Sequence, residues 1–272
     1  MAILNLTPDS FSDGSIHSST DIEALEKTVQ GFLKSGATII DIGGQSTRPN
    51  AERVTPMQEL ERILPVIRHI RSMPEAKNIA ISVDTFYASV AEEAVAAGAD
   101  IINDVTAGEL DPLMLPTVAK LQKTIILMHM RGTPQTMTKL TQYPDGIING
   151  VGRELSNRVE AAKAAGISPW RIILDPGIGF AKTQDQNLEL LRRLGELRLY
   201  KGLEGFAWLV GTSRKGFIGK ITGVQKADER AWGTAAAVTA GVMGGVEIVR
   251  VHDVAEMAQV AKMADAIFRV QN

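Results

Sequence analysis

The chain has 272 residues, 44% hydrophobic and 22% charged, with 29 basic and 31 acidic side chains giving a net charge of −2. That apolar content can bury a substantial core and excludes global disorder, and zero cysteines exclude a disulfide scaffold, a thiolate zinc site and a cysteine nucleophile while fitting a reducing compartment. No apolar run approaches the roughly 18 residues of a membrane span, the start Met1-Ala2-Ile3-Leu4-Asn5 has no signal-peptide anatomy, and the charge balance argues against general nucleic-acid binding, which needs a basic face.

Short apolar runs predict buried strands at 2–6, 38–42, 79–83, 101–102, 124–128, 171–174, 208–210 and 248–251. Longer stretches of helical period separate them. In the first, Ile22, Leu25, Val29, Phe32 and Leu33 share a face; in the last, Val254, Met257, Ala258, Ala261, Ala264 and Phe268 do. Thr20-x-x-Glu23 and Thr55-Pro56-x-Gln58 are capping-box starts, and Gly36, Gly98 and Gly166 are stops. Eight strand–helix units predict a single-domain α/β protein, a (β/α)8 TIM barrel. The rival, an open doubly wound sheet, usually has fewer strands, and the first strand–helix turn lacks the G-x-G-x-x-G fingerprint.

Each apolar run ends in polar residues: Asn5 and Thr7, Asp41, Asp84, Asn103 and Asp104, His129 and Arg131, Asp175, Thr212 to Lys215, then Arg250 and His252. Singly, each could be a cap or turn residue. In a barrel all eight ends converge on the face where active sites sit. Asp84, Asn103 and Asp175 suit a heterocycle rich in N–H donors, with Lys215 as a complementary donor; the bland alternative is an internal carboxylate–lysine pair. The loops after strands seven and eight, with Ser213, Arg214 and Lys215 and then Arg250 and His252, suit an anion, and Thr47 and Arg48 could close over it. Three connections are long: 7–19, 43–54 and 131–149. The first two read as lids on that face; the third is left open. No H-E-x-x-H, P-loop or G-x-S-x-G motif occurs, and His17, His69, His129 and His252 show no metal-ligand spacing. A hard cation such as Mg²⁺ stays open, because it needs only one or two protein oxygens plus substrate phosphates.

At these residues the chain resembles the dihydropteroate synthase family of pterin-binding enzymes. The segments are Asn5-Leu6-Thr7-Pro8-Asp9-Ser10-Phe11-Ser12-Asp13-Gly14, Asp41-Ile42-Gly43-Gly44-Gln45-Ser46-Thr47-Arg48-Pro49, Ser82-Val83-Asp84-Thr85, Ile102-Asn103-Asp104, Met128-His129-Met130-Arg131-Gly132, Leu174-Asp175-Pro176-Gly177-Ile178-Gly179-Phe180, Gly211-Thr212-Ser213-Arg214-Lys215 and Arg250-Val251-His252-Asp253. They follow the family order over essentially the whole chain.

The resemblance implies folate biosynthesis by condensation of 6-hydroxymethyl-7,8-dihydropterin diphosphate with p-aminobenzoate, and a sulfonamide target. It implies that Asp84, Asn103, Met128, Asp175, Phe180 and Lys215 hold the pterin. Asn5, Thr47, Arg48, Arg250 and His252 would hold the diphosphate, with Asn5 on the side of a Mg²⁺ cofactor. Asp9, Phe11, Thr47, Phe180, Ser213 and Gly216 would belong to the aminobenzoate site and its loops, and Asp84, Lys215, Arg250 and His252 would carry the chemistry. Two positions depart from the family pattern: Gly216, where serine is frequent, and Gln45, where glutamate is common. Rival readings are a methyltetrahydrofolate-binding methyltransferase domain, which has no diphosphate to hold, and a non-catalytic pterin-binding paralogue. The resemblance further implies a cytoplasmic protein, or a mitochondrial one in a eukaryote, and a homodimer through the helices at 230–243 and 254–268, with small molecules rather than membrane or nucleic acid as partners. Because Met1 falls on the first strand, the expectation for residues 1–272 is one barrel that is either trimmed at the front or a C-terminal module of a longer folate-pathway polypeptide.

Overall fold

The computed structural model describes residues 1–7, 22–46 and 53–269. Thr20, Asp9, Phe11, Thr47 and Arg48, and with them most of the two expected lids, lie outside these residues. Eight parallel strands pair in sequence order: β1 (Ala2–Asn5), β2 (Ile39–Gly43), β3 (Ala80–Asp84), β4 (Ile101–Asp104), β5 (Thr124–Met128), β6 (Ile172–Asp175), β7 (Ala207–Val210) and β8 (Ile248–Val249). The ring closes where Ala2 bridges Val251 in parallel, with Ile3 N and Val251 N each donating across the seam at 3.0 Å. The TIM barrel expected from the strand–helix rhythm is therefore formed, and the strand bounds differ from those expected by two residues or fewer at each end.

Between the strands run α1 (Ile22–Lys34), α2 (Pro56–Ser72), α3 (Ala88–Ala97), α4 (Met114–Leu121), α5 (Ile147–Ala164), α6 (Gln184–Arg192), α7 (Leu194–Arg198), α8 (Gly216–Thr222), α9 (Ala231–Met243) and α10 (Val254–Phe268). The capping box at the start of α2 is present: Gln58 N donates to Thr55 Oγ1 at 3.3 Å and Thr55 N to Gln58 Oε1 at 2.9 Å. A second one, Thr183 with Gln186, opens α6 and is legible in the sequence by the same rule. Gly36, Gly98 and Gly166 take positive φ where the helices stop. The connection 131–149, left open from the sequence, folds back through a 3₁₀ turn (Met137–Lys139) that buries Met137.

Strand residues alternate between two environments because successive side chains point to opposite faces. One set, including Leu4, Ile40, Ile42, Ile81, Val83, Ile102, Ile125, Leu127, Leu174 and Trp208, packs outward against the helices in the main core. The other set fills the barrel. Its floor is apolar: Ile101, Ile126 and Leu209 pack with Met1, Ile39, Ala80, Ile173 and Ile248. Two residues further along the same strands this inward row turns polar, with Asp41, Ser82, Asn103, Asp175 and Arg250. The period of two thus places the strand-end polar residues inside the mouth of the barrel, over a dry plug.

Candidate active site

Arg250 lies at the centre of the polar layer. Its Nε donates to Asp41 Oδ2 at 2.6 Å and its Nη2 to Asp84 Oδ2 at 2.9 Å. Asn103 Nδ2 also donates to Asp41 Oδ2, at 3.1 Å. The parallel register sets Gly43 opposite Asp84 and Asp84 opposite Asn103, which brings these groups together. Asp84 is buried, and burial pushes its carboxyl up to about 7; Arg250 opposes the shift, while Asp41 and Asp104 add to it. Asp41 was read as a strand-end residue but not as part of the site, yet it anchors the arginine and keeps Oδ1 buried without a partner.

Asp175 and Lys215 face each other electrostatically. Burial raises the Asp175 carboxyl and Lys215 opposes the shift; burial lowers the Lys215 ammonium to about 8 and Asp175 opposes that. Lys215 Nζ donates to the Ile178 carbonyl and lies 4.7 Å from the centroid of the Phe180 ring. Phe180 packs on a small buried cluster that holds Met128, Met130 and Met137. Met128 belongs to that cluster.

A cavity of about 760 Å³ opens above these groups. Asn5, Asp84, Phe180, Ser213, Lys215, Gly216, Arg250 and His252 line it, whereas Asn103, Met128 and Asp175 do not. The three residues of the Ser-Arg-Lys run serve three purposes, because Arg214 takes a left-handed φ of +61°. Ser213 Oγ lies 3.0 Å from His252 Nδ1, and Lys215 reaches Phe180. Arg214 is turned onto Asp253 at 2.6 Å and 3.2 Å. A Cβ at Gly216 would meet nothing within 4 Å.

The sequence reading missed two further groups at this face. Glu59, on α2, is buried beside the cavity-lining Gln45, whose Nε2 donates to Glu59 Oε2 at 2.9 Å. A Cβ on Gly44 would sit 2.9 Å from Glu59 Cγ, so glycine there lets the helix close in. Burial, reinforced by the charge of Asp84, pushes the Glu59 carboxyl up to about 8, against a hydrogen bond from Thr85. Lys182, on the connection after β6, is buried at the cavity wall. The Gly179-Phe180-Ala181-Lys182 string carries no local signal that its lysine turns inward.

Residues 1–252 match the family model described as pterin binding enzyme. The chain belongs to the pterin-binding enzyme family. Within that family it is 50% identical over 271 residues to a dihydropteroate synthase of Synechocystis, covering 99% of this chain and 90% of that one. It is 49% identical over 270 residues to a folic acid synthesis protein of Pneumocystis carinii, covering 99% of this chain. The chain spans only 36% of that fungal relative's length. The structure of a Xanthomonas albilineans dihydropteroate synthase in complex with 7,8-dihydropteroate superposes with a TM-score of 0.84 at 37% identity, covering 100% of this chain and 94% of that one. Among the described residues no helix is long and apolar enough to cross a membrane.

Glu59 gives a test of this electrostatic picture. Its folded value, about 8, lies above its ordinary 4.5. The folded state therefore holds the proton more tightly. Its contribution to stability is full below about pH 4.5 and is lost as pH rises through 8. Glu59→Gln, neutral at every pH, is expected to melt close to the parent at pH 5 and several degrees above it at pH 8.5. Thermal denaturation at both pH values measures this, and an equal difference at the two would show that Glu59 is ionised throughout.

Proposed function

We propose that the chain condenses 6-hydroxymethyl-7,8-dihydropterin diphosphate with p-aminobenzoate, giving 7,8-dihydropteroate and diphosphate. The observation that carries this reading is the placing of buried acceptors, Asp84 and Asp175, with the half-buried cations Arg250 and Lys215 at the mouth of the barrel. Acceptors that are expensive to bury unpartnered suit a ligand edge rich in N–H donors. Asp84, Asn103 and Asp175 would bind that edge, and Phe180, packed on the cluster that holds Met128, would cover the ring. Arg250, His252 and Asn5 would face the diphosphate. Asp9, Phe11, Thr47 and Arg48 would complete the aminobenzoate site with Ser213 and Gly216.

The bond that breaks joins the pterin methylene to the diphosphate oxygen, and its electron pair leaves with the diphosphate. Arg250 and His252 offset the negative charge as it grows on the leaving oxygen. The electron-rich pterin carries the resulting cation, which the Asp84 carboxylate favours. The aniline nitrogen then attacks the methylene and loses a proton. That amine is already neutral, so no strong general base is required. Exclusion of water protects the cation.

Among the described residues no cluster of three His, Asp or Glu side chains could hold a metal ion. The donors do fit a Mg²⁺ that travels on a diphosphate, because such an ion takes only one or two protein oxygens. Asn5 lines the cavity, and its Oδ1 lies 3.5 Å from where a Gly43 Cβ would be, so the missing side chain leaves room beside it. Bound there, the ion would neutralise part of the diphosphate charge.

We also propose a homodimer through α9 and α10, which pack on each other yet expose Trp232 at 89%, Met263 at 63% and Ile267 at 52%. A cysteine-free chain supports a reducing compartment, the cytoplasm or the mitochondrion of a eukaryote.

Turnover with pterin diphosphate and aminobenzoate, followed by diphosphate release, tests the activity and separates it from a methyltransferase or a binding-only protein. Asp84→Asn should lower kcat/KM on the order of a hundredfold, from loss of a buried charged acceptor; a variant within threefold of the parent would remove Asp84 from the site. Gly216→Ser, which has room for the hydroxyl, should lower the KM for aminobenzoate roughly tenfold if that hydroxyl reaches the carboxylate. An unchanged KM would place the carboxylate elsewhere. Trp232→Glu should shift the protein from dimer to monomer in sedimentation velocity, and a monomeric parent chain would reject the dimer.

A further inference from the structure

The connection from β6 to α6 brings Phe180 and the Ile178 carbonyl to the cavity along an uncommon backbone path. Gly177, Gly179 and Ala181 all have positive φ, at +66°, +85° and +48°. A Cβ on Gly177 would lie 1.9 Å from the His129 carbonyl oxygen. The left-handed conformation is unfavourable for Ala181, so something else must hold the turn.

Lys182 ends the turn and points inward. Its Nζ lies 3.0 Å from Gly177 O, 2.9 Å from Phe180 O and 2.9 Å from His129 Nδ1. All three are acceptor positions for the amine nitrogen's protons. The far side of the imidazole, Nε2, lies 3.0 Å from Glu154 Oε2. Glu154 in turn accepts from Arg131 Nε at 2.8 Å and from Nη2. Burial lowers the His129 imidazole to about 4, so the ring is neutral, and a carboxylate can only accept; the ring therefore donates at Nε2 to Glu154 and accepts at Nδ1 from Lys182, whose ammonium burial pushes well below its ordinary range. Arg131 also stacks 3.8 Å from the centre of the Tyr143 ring, and Tyr143 OH donates to Ala181 O at 3.0 Å. The four charged or polar groups thus run in series from the outside of β5 to the turn. With its protons spoken for, Lys182 has none to offer a substrate even though it borders the cavity.

We propose that Arg131, Glu154, His129 and Lys182 form a positioning relay that holds the 177–182 turn, and through it Phe180, in the geometry that binds substrate. The proposal rests on the condensation reading for its kinetic consequences and on the turn itself for its structural ones.

The test uses the full chain. Lys182→Met keeps the aliphatic stem and leaves the Gly177 and Phe180 carbonyls without their donor. Peptides spanning 176–183 should then exchange amide hydrogen faster. The KM for both substrates should rise on the order of tenfold with a smaller fall in kcat, because a turn that grips ground and transition states alike acts on KM. His129→Asn keeps an acceptor near the place of Nδ1 and should stay within about threefold of the parent KM, whereas His129→Leu should resemble Lys182→Met. Unchanged exchange in Lys182→Met, or equal KM values in the two His129 variants, overturns the relay. If Lys182→Met does not fold, the His129 pair decides the matter. Exchange is read without turnover, so an inactive parent chain would sink the condensation reading while the relay is still judged on exchange.

Discussion

The placement of Arg250 between Asp41 and Asp84 is the constraint on which the rest of the site depends. An arginine in a barrel lumen is costly unless its planar fork is matched by carboxylates, and two opposing charges within hydrogen-bond distance provide that match. The match is asymmetric. Asp41 is fully buried and also takes the Asn103 amide, whereas Asp84 stands at the cavity with its carboxyl raised to about 7. One carboxylate therefore serves the arginine, and the other is only partly compensated until a ligand supplies further donors. The arginine comes from the end of the chain and its partners from β2 and β3, so the arrangement exists only if the ring closes at Val251 and Ala2. Closure of the barrel and assembly of the site are one event.

The same dependence explains what could be read from the sequence. A period of two along each strand, applied from an apolar floor, points Asp84, Asn103, Asp175, Arg250 and His252 inward; Asp84, Arg250 and His252 line the cavity, while Asn103 and Asp175 lie behind its lining, Asn103 on Asp41. Asp41 obeyed the same parity. It escaped notice as a site residue because it lies one inward step deeper than the mouth, where its partner is an arginine more than 200 positions away. Residues that depend on helices were harder still. Glu59 sits in a helix whose first turns read as solvent-facing, and it is buried only because Gly44 lacks a side chain. Glu154 lies in mid-α5, and no local pattern pairs it with His129. In the Ser-Arg-Lys run the sequence offers two adjacent cations and no sign that they part. A single left-handed residue splits it, giving Lys215 to the site and Arg214 to Asp253.

Gln45 shows how neighbouring charges are kept apart at this mouth. The position precedes Thr47 and Arg48 in the sequence. Here its amide donates to Glu59, which already shares a buried neighbourhood with Asp84. A second carboxyl at position 45 would meet Glu59 as acceptor against acceptor, and the pair could persist only by sharing a proton. With glutamine the contact is a donor–acceptor bond whether or not Glu59 is ionised. The near-neutral total charge of the chain thus conceals a mouth of interleaved charges: Asp41 and Asp84 from β2 and β3 hold Arg250, and Asp175 from β6 acts on Lys215. A ligand that donates at one end and carries an anion at the other would meet both kinds of partner at this mouth.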